Sequence, residues 1–255
     1  MQTGALIIGD ELLSGKRQDK HMQALIRILA ARGMKLAWAE YLGDDPVRIE
    51  AALRRAFESG DLVFSFGGIG ATPDDHTRAC AARALDLPLE LHPEAKALLE
   101  ARFGDEAYPH RIQMGCYPQG AAIIPNPVNQ VPGFSHGHVH FVPGFPSMAW
   151  PMIEWVLETH YRRLFNDSPD IEMSCIAIHA REGDLIDLMR AFTARYPTLK
   201  LSSLPSFGND AIPQMHIEFG FAGQPDLVGI AMAEWSKALL ERGYELREKA
   251  APAGQ

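Results

Sequence analysis

Cysteine is scarce in this chain, with Cys80, Cys116 and Cys175 the three among 255 residues. Their wide spacing makes neither a disulfide framework nor a metal-ligand pattern. Each is therefore expected to be a small buried hydrophobe in a reducing compartment. The sequence lacks an apolar run near 18 residues and a signal-peptide pattern, so a cytoplasmic protein with no membrane partner is expected. Positive charge is in deficit: 24 Lys and Arg stand against 32 Asp and Glu, a net charge of −8. A nucleic-acid binder driven by phosphate contacts needs the opposite balance. Repeats and low-complexity segments are missing, as are the strict dinucleotide pattern G-x-G-x-x-G and the P-loop ending in Gly-Lys-Ser/Thr. The rest is ordinary globular composition, 47% hydrophobic and 22% charged, long enough for one large domain or two modest ones.

Glycine is concentrated where it matters most. An apolar strand, residues 61–66, runs into Gly67, Gly68, Ile69 and Gly70, then Thr72, Asp74, Asp75, His76 and Thr77, before a helix-forming run at 78–85. Glycines at a strand end let the backbone approach a ligand and turn N–H groups toward phosphate oxygens. The following helix N-terminus favours an anion. Asp74 and Asp75 supply the carboxylate oxygens that hard divalent cations prefer. A tight turn followed by an Asp N-cap gives a similar pattern without a ligand. The aspartate pair in the same turn favours a site for a phosphorylated small molecule.

Periodicity organises the remainder. Residues 3–8 read as a buried strand ending in Gly9, Asp10 and Glu11, and residues 20–31 as a helix. Residues 35–42 read as a second strand, stopping at Gly43-Asp44-Asp45-Pro46, where Asp45 suits the N-cap and Pro46 the first position of a helix to Ser59. This β-α-β-α-β-α order predicts an α/β fold with a parallel sheet. Ligands of such sheets bind at the strand C-terminal ends, so the three glycine-rich or acidic segments should converge. Further on, helices are expected at 93–103 and 147–164 and strands at 121–124 and 139–142. The Pro143–Pro146 loop reads either as a ligand-facing wall or as packing punctuation. A polar break at 166–170 separates a β-α-β-β-α pattern: strand 172–180, helix 185–196, strands 199–204 and 214–221, helix 226–242. The expected organisation is an α/β domain over 1–167, a small α+β domain over 168–250 and a frayed tail over 251–255.

Three segments resemble one family in order and spacing. Gly9-Asp10-Glu11-Leu12-Leu13-Ser14-Gly15, Gly43-Asp44-Asp45 and Gly67–Thr77 are similar to the signatures of the molybdopterin-binding-like domain of CinA, the competence/damage-inducible protein. Pro132-Gly133-Phe134 and Pro143–Pro146 resemble its later loops more weakly. The resemblance covers about residues 3–165, and the tail is similar to the family's small middle domain. The family's further deamidase domain has no counterpart within the 255 residues. It implies the three-layer fold shared with molybdenum-cofactor proteins of the MogA, MoaB, gephyrin and MoeA type. It also implies metal-dependent hydrolysis of ADP-ribose, or of a related dinucleotide such as FAD. Binding of molybdopterin without catalysis is the alternative it leaves. Three positions depart from the family pattern: His21 stands for an Asn, Gln113-Met114-Gly115 replaces a basic segment, and Ser147-Met148 replaces a Glu.

On this reading Asp75, with Asp74 and Asp10, supplies the catalytic carboxylates. Asp75 and Asp44 ligate a divalent Mg, Mn or Co ion. The amides of Gly67, Gly68, Ile69 and Gly70 and the Thr72 hydroxyl hold the phosphates, with Gly9, Glu11 and Thr77 as further ligand contacts. Asp45 and Thr77 also suit helix capping. A homodimer is expected, as is usual among such relatives. His136, His138 and His140 alternate and read as a solvated hairpin face rather than a metal site. His21 and His76 are expected near the cleft, as acid or base or as hydrogen-bonded spectators.

Overall fold

The computed structural model describes residues 1–248. The chain divides into two compact units after Asp167. In the first, the strands β1 (Thr3–Ile8), β2 (Trp38–Leu42) and β3 (Leu62–Phe66) alternate with the helices α1 (Asp10–Leu13), α2 (His21–Ala30) and α3 (Pro46–Ser59). Then come α4 (Thr77–Ala84), β4 (Leu89–Leu91), α5 (Pro93–Phe103), β5 (Cys116–Pro118), β6 (Ala122–Ile124), β7 (Gly133–His136), β8 (Val139–Val142) and α6 (Pro146–His160).

The sheet order is β2-β1-β3-β8-β7-β6, parallel through the first four strands and antiparallel for β7 and β6. Every residue of β1 is buried, because helices cover both faces of the sheet. Leu6 and Ile8 pack with Ile49 and Leu53 of α3 and Ala81 of α4. Ala5 and Ile7 point the other way, onto Leu25 and Leu29 of α2 and Met152 and Val156 of α6. This is the expected three-layer α/β sandwich. Asp45 caps α3 as anticipated, its carboxylate accepting from Val47 N–H at 2.9 Å, with Pro46 at the first helical position.

The second unit contains β9 (Ile171–Ile178), α7 (Glu182–Arg195), β10 (Lys200–Ser206), β11 (His216–Gly223), α8 (Pro225–Glu241) and β12 (Leu246–Glu248). Its antiparallel sheet has the order β10-β11-β9-β12. Trp235 anchors the core, edge-on to Phe192 and Phe219 at 5.0 Å. Periodicity identified everything here except β12, which is too short to show an alternation. Residues 251–255, the expected tail, lie outside the described residues.

Several expectations change. β4, β5 and β7 were not foreseen, because each is three or four residues long among prolines and glycines. The three histidines do not share a strand: His136 ends β7 and His138 precedes β8, with Gly137 at φ 59° between them. His140 is no solvated residue, for it is 2% exposed and bonded to Ser135 Oγ at 2.7 Å and Tyr161 Oη at 2.9 Å. Cys80 and Cys175 are buried as expected, but Cys116 is half-exposed on the short strand β5.

Candidate functional site

Parallel strands carry their C-terminal loops to one edge of the sheet, and hydrogen bonds then join the loops sideways. Gly9 N–H donates to Leu42 O at 2.9 Å, and Gly67 N–H to Val142 O at 3.0 Å. The segments at Gly9, Gly43 and Gly67 therefore converge, as the strand order requires. Between them and the Pro143–Phe145 loop opens a cavity of about 800 Å³. Gly9, Glu11, Asp44, Gly67, Gly68, Ile69, Gly70, Thr72, Asp74 and Asp75 all line it. Asp10, Thr77 and His76 do not. Asp10 instead exchanges bonds with Asp44. Thr77 is fully buried under Gly68, its hydroxyl without a hydrogen-bond partner among the described residues. His76 is the N-cap residue of α4.

Glycine is required at the head of the loop. Gly67 and Gly68 have φ of 94° and 67°, and a Cβ would overlap Ile8 O at the first and Thr77 Oγ1 at the second. The donors expected to hold phosphate are partly committed elsewhere. Asp75 Oδ1 accepts from Gly70 N–H at 2.8 Å, and its Oδ2 accepts from Thr72 N–H at 2.8 Å and Thr72 Oγ1 at 2.5 Å. Gly70 N–H and the Thr72 hydroxyl thus serve Asp75, and both oxygens of Asp75, the expected principal metal ligand, are engaged by the loop. Among the described residues the amides of Gly68, Ile69 and Ala71 have no protein partner.

The acidic wall is electrostatically crowded. Burial raises the Asp44 carboxyl above its ordinary range; the Asp10 N–H bond opposes this, while the charges of Asp10, Glu11 and Asp74 reinforce it. Asp74 is exposed and its carboxyl is lowered, first by the neighbouring Thr72 hydroxyl, whose single proton it shares with Asp75 Oδ2, and then by its own backbone N–H. Among the described residues no group of three or more His, Cys, Asp or Glu is arranged to hold a metal ion. A magnesium-type ion does not need one, since it keeps several waters and takes one or two carboxylates plus substrate phosphates. Asp44 and Asp74, both in the cavity wall and mutually repelling, fit that role better than Asp75.

Several lining residues carried no obvious signal. Lys16 and Arg17 are exposed basic residues that line the cavity, and Met114, beside Gln113, lines it too. Asn126 and Asn129 brace one another at 2.8 Å, and Phe103, Phe145 and Met148 add apolar wall. Arg78 sat unnoticed in an alanine-rich run. It is 8% exposed, and its Nη1 donates to the carbonyls of Ile69 and Gly70.

The profile of the probable molybdopterin binding domain family matches residues 4–163. The chain belongs to this family. A CinA-like protein of Desulfovibrio desulfuricans is 35% identical over 160 residues, 60% of this chain and 38% of that protein. A putative competence-damage inducible protein of Symbiobacterium thermophilum is 36% identical over 157 residues, 58% of this chain and 37% of that one. The match therefore spans about two fifths of these relatives' length. The solved structure of CinA from Thermoplasma acidophilum, described as of unknown function, superposes with a TM-score of 0.57 at 27% identity. It covers 62% of this chain and 98% of its own. Among the described residues no helix is long and apolar enough to cross a membrane.

Proposed function

We propose that the first unit binds a phosphorylated nucleotide in its 800 Å³ cavity and hydrolyses the pyrophosphate of ADP-ribose or a related dinucleotide with a divalent cation. The observation that carries this reading is the pairing of unpartnered amides at Gly68, Ile69 and Ala71 with the carboxylates Asp44 and Asp74 across the same cavity. The amides receive phosphate oxygens, and Lys16 and Arg17 meet charge at the rim. A bound cation would neutralise phosphate charge and lower the pKa of its water. Asp44 and Asp74 would hold that cation and so orient its water against the phosphate, the water's proton leaving to bulk solvent. The test is AMP release from ADP-ribose and FAD with Mg²⁺, Mn²⁺ or Co²⁺. Asp44→Asn and Asp74→Asn should each lose about 10²-fold or more in turnover. The family match favours a second reading, a molybdopterin-binding protein without turnover. A fluorescent pterin retained through purification, with no AMP released, would replace the first reading with that one.

A further inference from the structure

We infer that Arg78 and Asp75 clamp the glycine loop from opposite sides, and that Arg78 supplies the positive charge of an anion cradle through peptide groups rather than by touching the ligand. The inference rests on the phosphate reading of the cavity and reassigns Asp75 from metal ligand to positioning residue.

The peptide between Ile69 and Gly70 is held at both ends. Its carbonyl accepts from the Arg78 guanidinium, and its N–H donates to the Asp75 carboxylate at 2.8 Å. The next peptide, between Gly70 and Ala71, is held at one end only. Its carbonyl also accepts from Arg78 Nη1, while the Ala71 N–H has no protein partner among the described residues. In a trans peptide the C=O and N–H point in opposite directions. A carbonyl drawn to a buried cation therefore sends Ala71 N–H away from it, and Ala71 lines the cavity where Arg78 does not. Hydrogen bonding at the carbonyl polarises the peptide and strengthens its N–H as a donor. One residue further, Thr72 N–H returns to Asp75 at 2.8 Å and closes the loop.

The charge balance points the same way. Arg78 is 8% exposed and its buried Nε has no hydrogen-bond partner among the described residues. No ion pair with Arg78 exists among the described residues, and the carboxylate whose charge bears on it, Asp75, is itself spent on loop amides. A buried cation is costly unless something compensates it, and an anion on the far side of the two polarised peptides would do so. Gly70 is part of the same device, for a Cβ there would lie 2.5 Å from Asp75 Oδ2. The third glycine of the run makes room for the clamp.

The experiment is calorimetric titration of the full chain with inorganic pyrophosphate in EDTA, alongside hydrogen–deuterium exchange of the 67–77 segment without ligand. Arg78→Met should bind pyrophosphate at least tenfold more weakly. Arg78→Lys, keeping the charge but losing the fork, should recover part of that loss. Arg83→Met, on the same helix and paired with Glu50, should stay within twofold of wild type. Exchange should quicken in Arg78→Met and in Asp75→Asn. Folded Arg78→Met with affinity within twofold of wild type overturns the inference. Should Arg78→Met fail to fold, Arg78→Lys and Asp75→Asn decide it, and wild-type affinity and exchange in both overturn it. A wild-type protein that binds no pyrophosphate either in EDTA or with Mg²⁺ added sinks the phosphate reading instead. Exchange then judges the clamp alone: faster exchange sustains it as a loop brace, and unchanged exchange ends it.

Discussion

Asp10 and Asp44 hold each other by reciprocal hydrogen bonds: Asp10 N–H donates to Asp44 Oδ2 at 2.9 Å, and Asp44 N–H to Asp10 Oδ1 at 3.1 Å. The pair ties the loop after β1 to the loop after β2, and it has a chemical consequence for the cavity. The Asp10 charge helps raise the Asp44 carboxyl, so protons compete with cations for Asp44 at higher pH than for a lone aspartate. Cation affinity should therefore climb as pH rises through the raised Asp44 value. Asp10→Ala keeps the N–H bond to Asp44 but removes the charge, which moves that climb to lower pH. It also orphans Asp44 N–H, at a cost of about 1 kcal/mol in stability. Mn²⁺ binding followed by electron paramagnetic resonance between pH 4 and 8 tests this; superimposable curves for variant and wild type would reject it.

His140 makes a pH prediction at the other end of the strands. Burial, reinforced by His160 and His138, pushes its imidazole down to about 3. Unfolded, the same group titrates near its ordinary 6.5. Between those values the unfolded chain binds a proton that the folded chain refuses, so stability rises with pH across that window. Acidification from 6.5 toward 3 should cost up to about 1.4 kcal/mol per pH unit from this one group. His140→Asn should lower stability at pH 7, because Ser135 and Tyr161 lose a shared partner, yet flatten the slope below pH 6. Urea midpoints at pH 4.5, 5.5 and 7 would show it, and an unchanged slope would assign the acid sensitivity elsewhere.

His21 does not line the cavity but braces Gly144, which does. Its ring lies 4.5 Å from Phe66, and its Nε2 is 3.1 Å from Gly144 O. Burial lowers its pKa, so the neutral ring donates from Nε2 and fixes the loop that carries Phe145. Removing the ring leaves a cavity and an unpaired carbonyl. His21→Ala should cost about 2–4 kcal/mol and raise KM for the cavity's ligand more than it lowers kcat. An equal fall in kcat with KM unchanged would instead make His21 part of the chemistry.

The architecture was legible where physics is local. Buried parallel strands such as β1 and β3 are predominantly apolar runs, Asp45-Pro46 is a helix start by composition, and alternation of strand and helix places Gly9, Asp44 and Gly68 at one edge. What sequence did not disclose was the partnering of groups. Nothing in the order of residues says that Asp75 spends its oxygens on Gly70 and Thr72, or that Arg78 turns inward rather than to solvent. Both follow from the path of a loop whose φ angles only glycine permits. Lys16 and Arg17 escaped notice because a cation was sought at one sequence position, while the cavity admits charge from any loop around it.

Those two basic residues give a prediction that separates surface from buried charge. Lys16 and Arg17 are exposed at the rim, so their field is screened over about 10 Å at 0.1 M salt. Replacing both with Glu should weaken pyrophosphate binding about tenfold at low salt, and that deficit should shrink toward nothing near 0.5 M as screening removes the difference. Arg78, buried under the loop, is shielded from mobile ions, so the deficit of Arg78→Met should persist at both salt concentrations. Titrations at 20 mM and 500 mM salt compare the two directly. A rim deficit that survives high salt would mean that Lys16 or Arg17 contacts the phosphate in a desolvated complex. That would require the loop bearing them to close over the bound ligand.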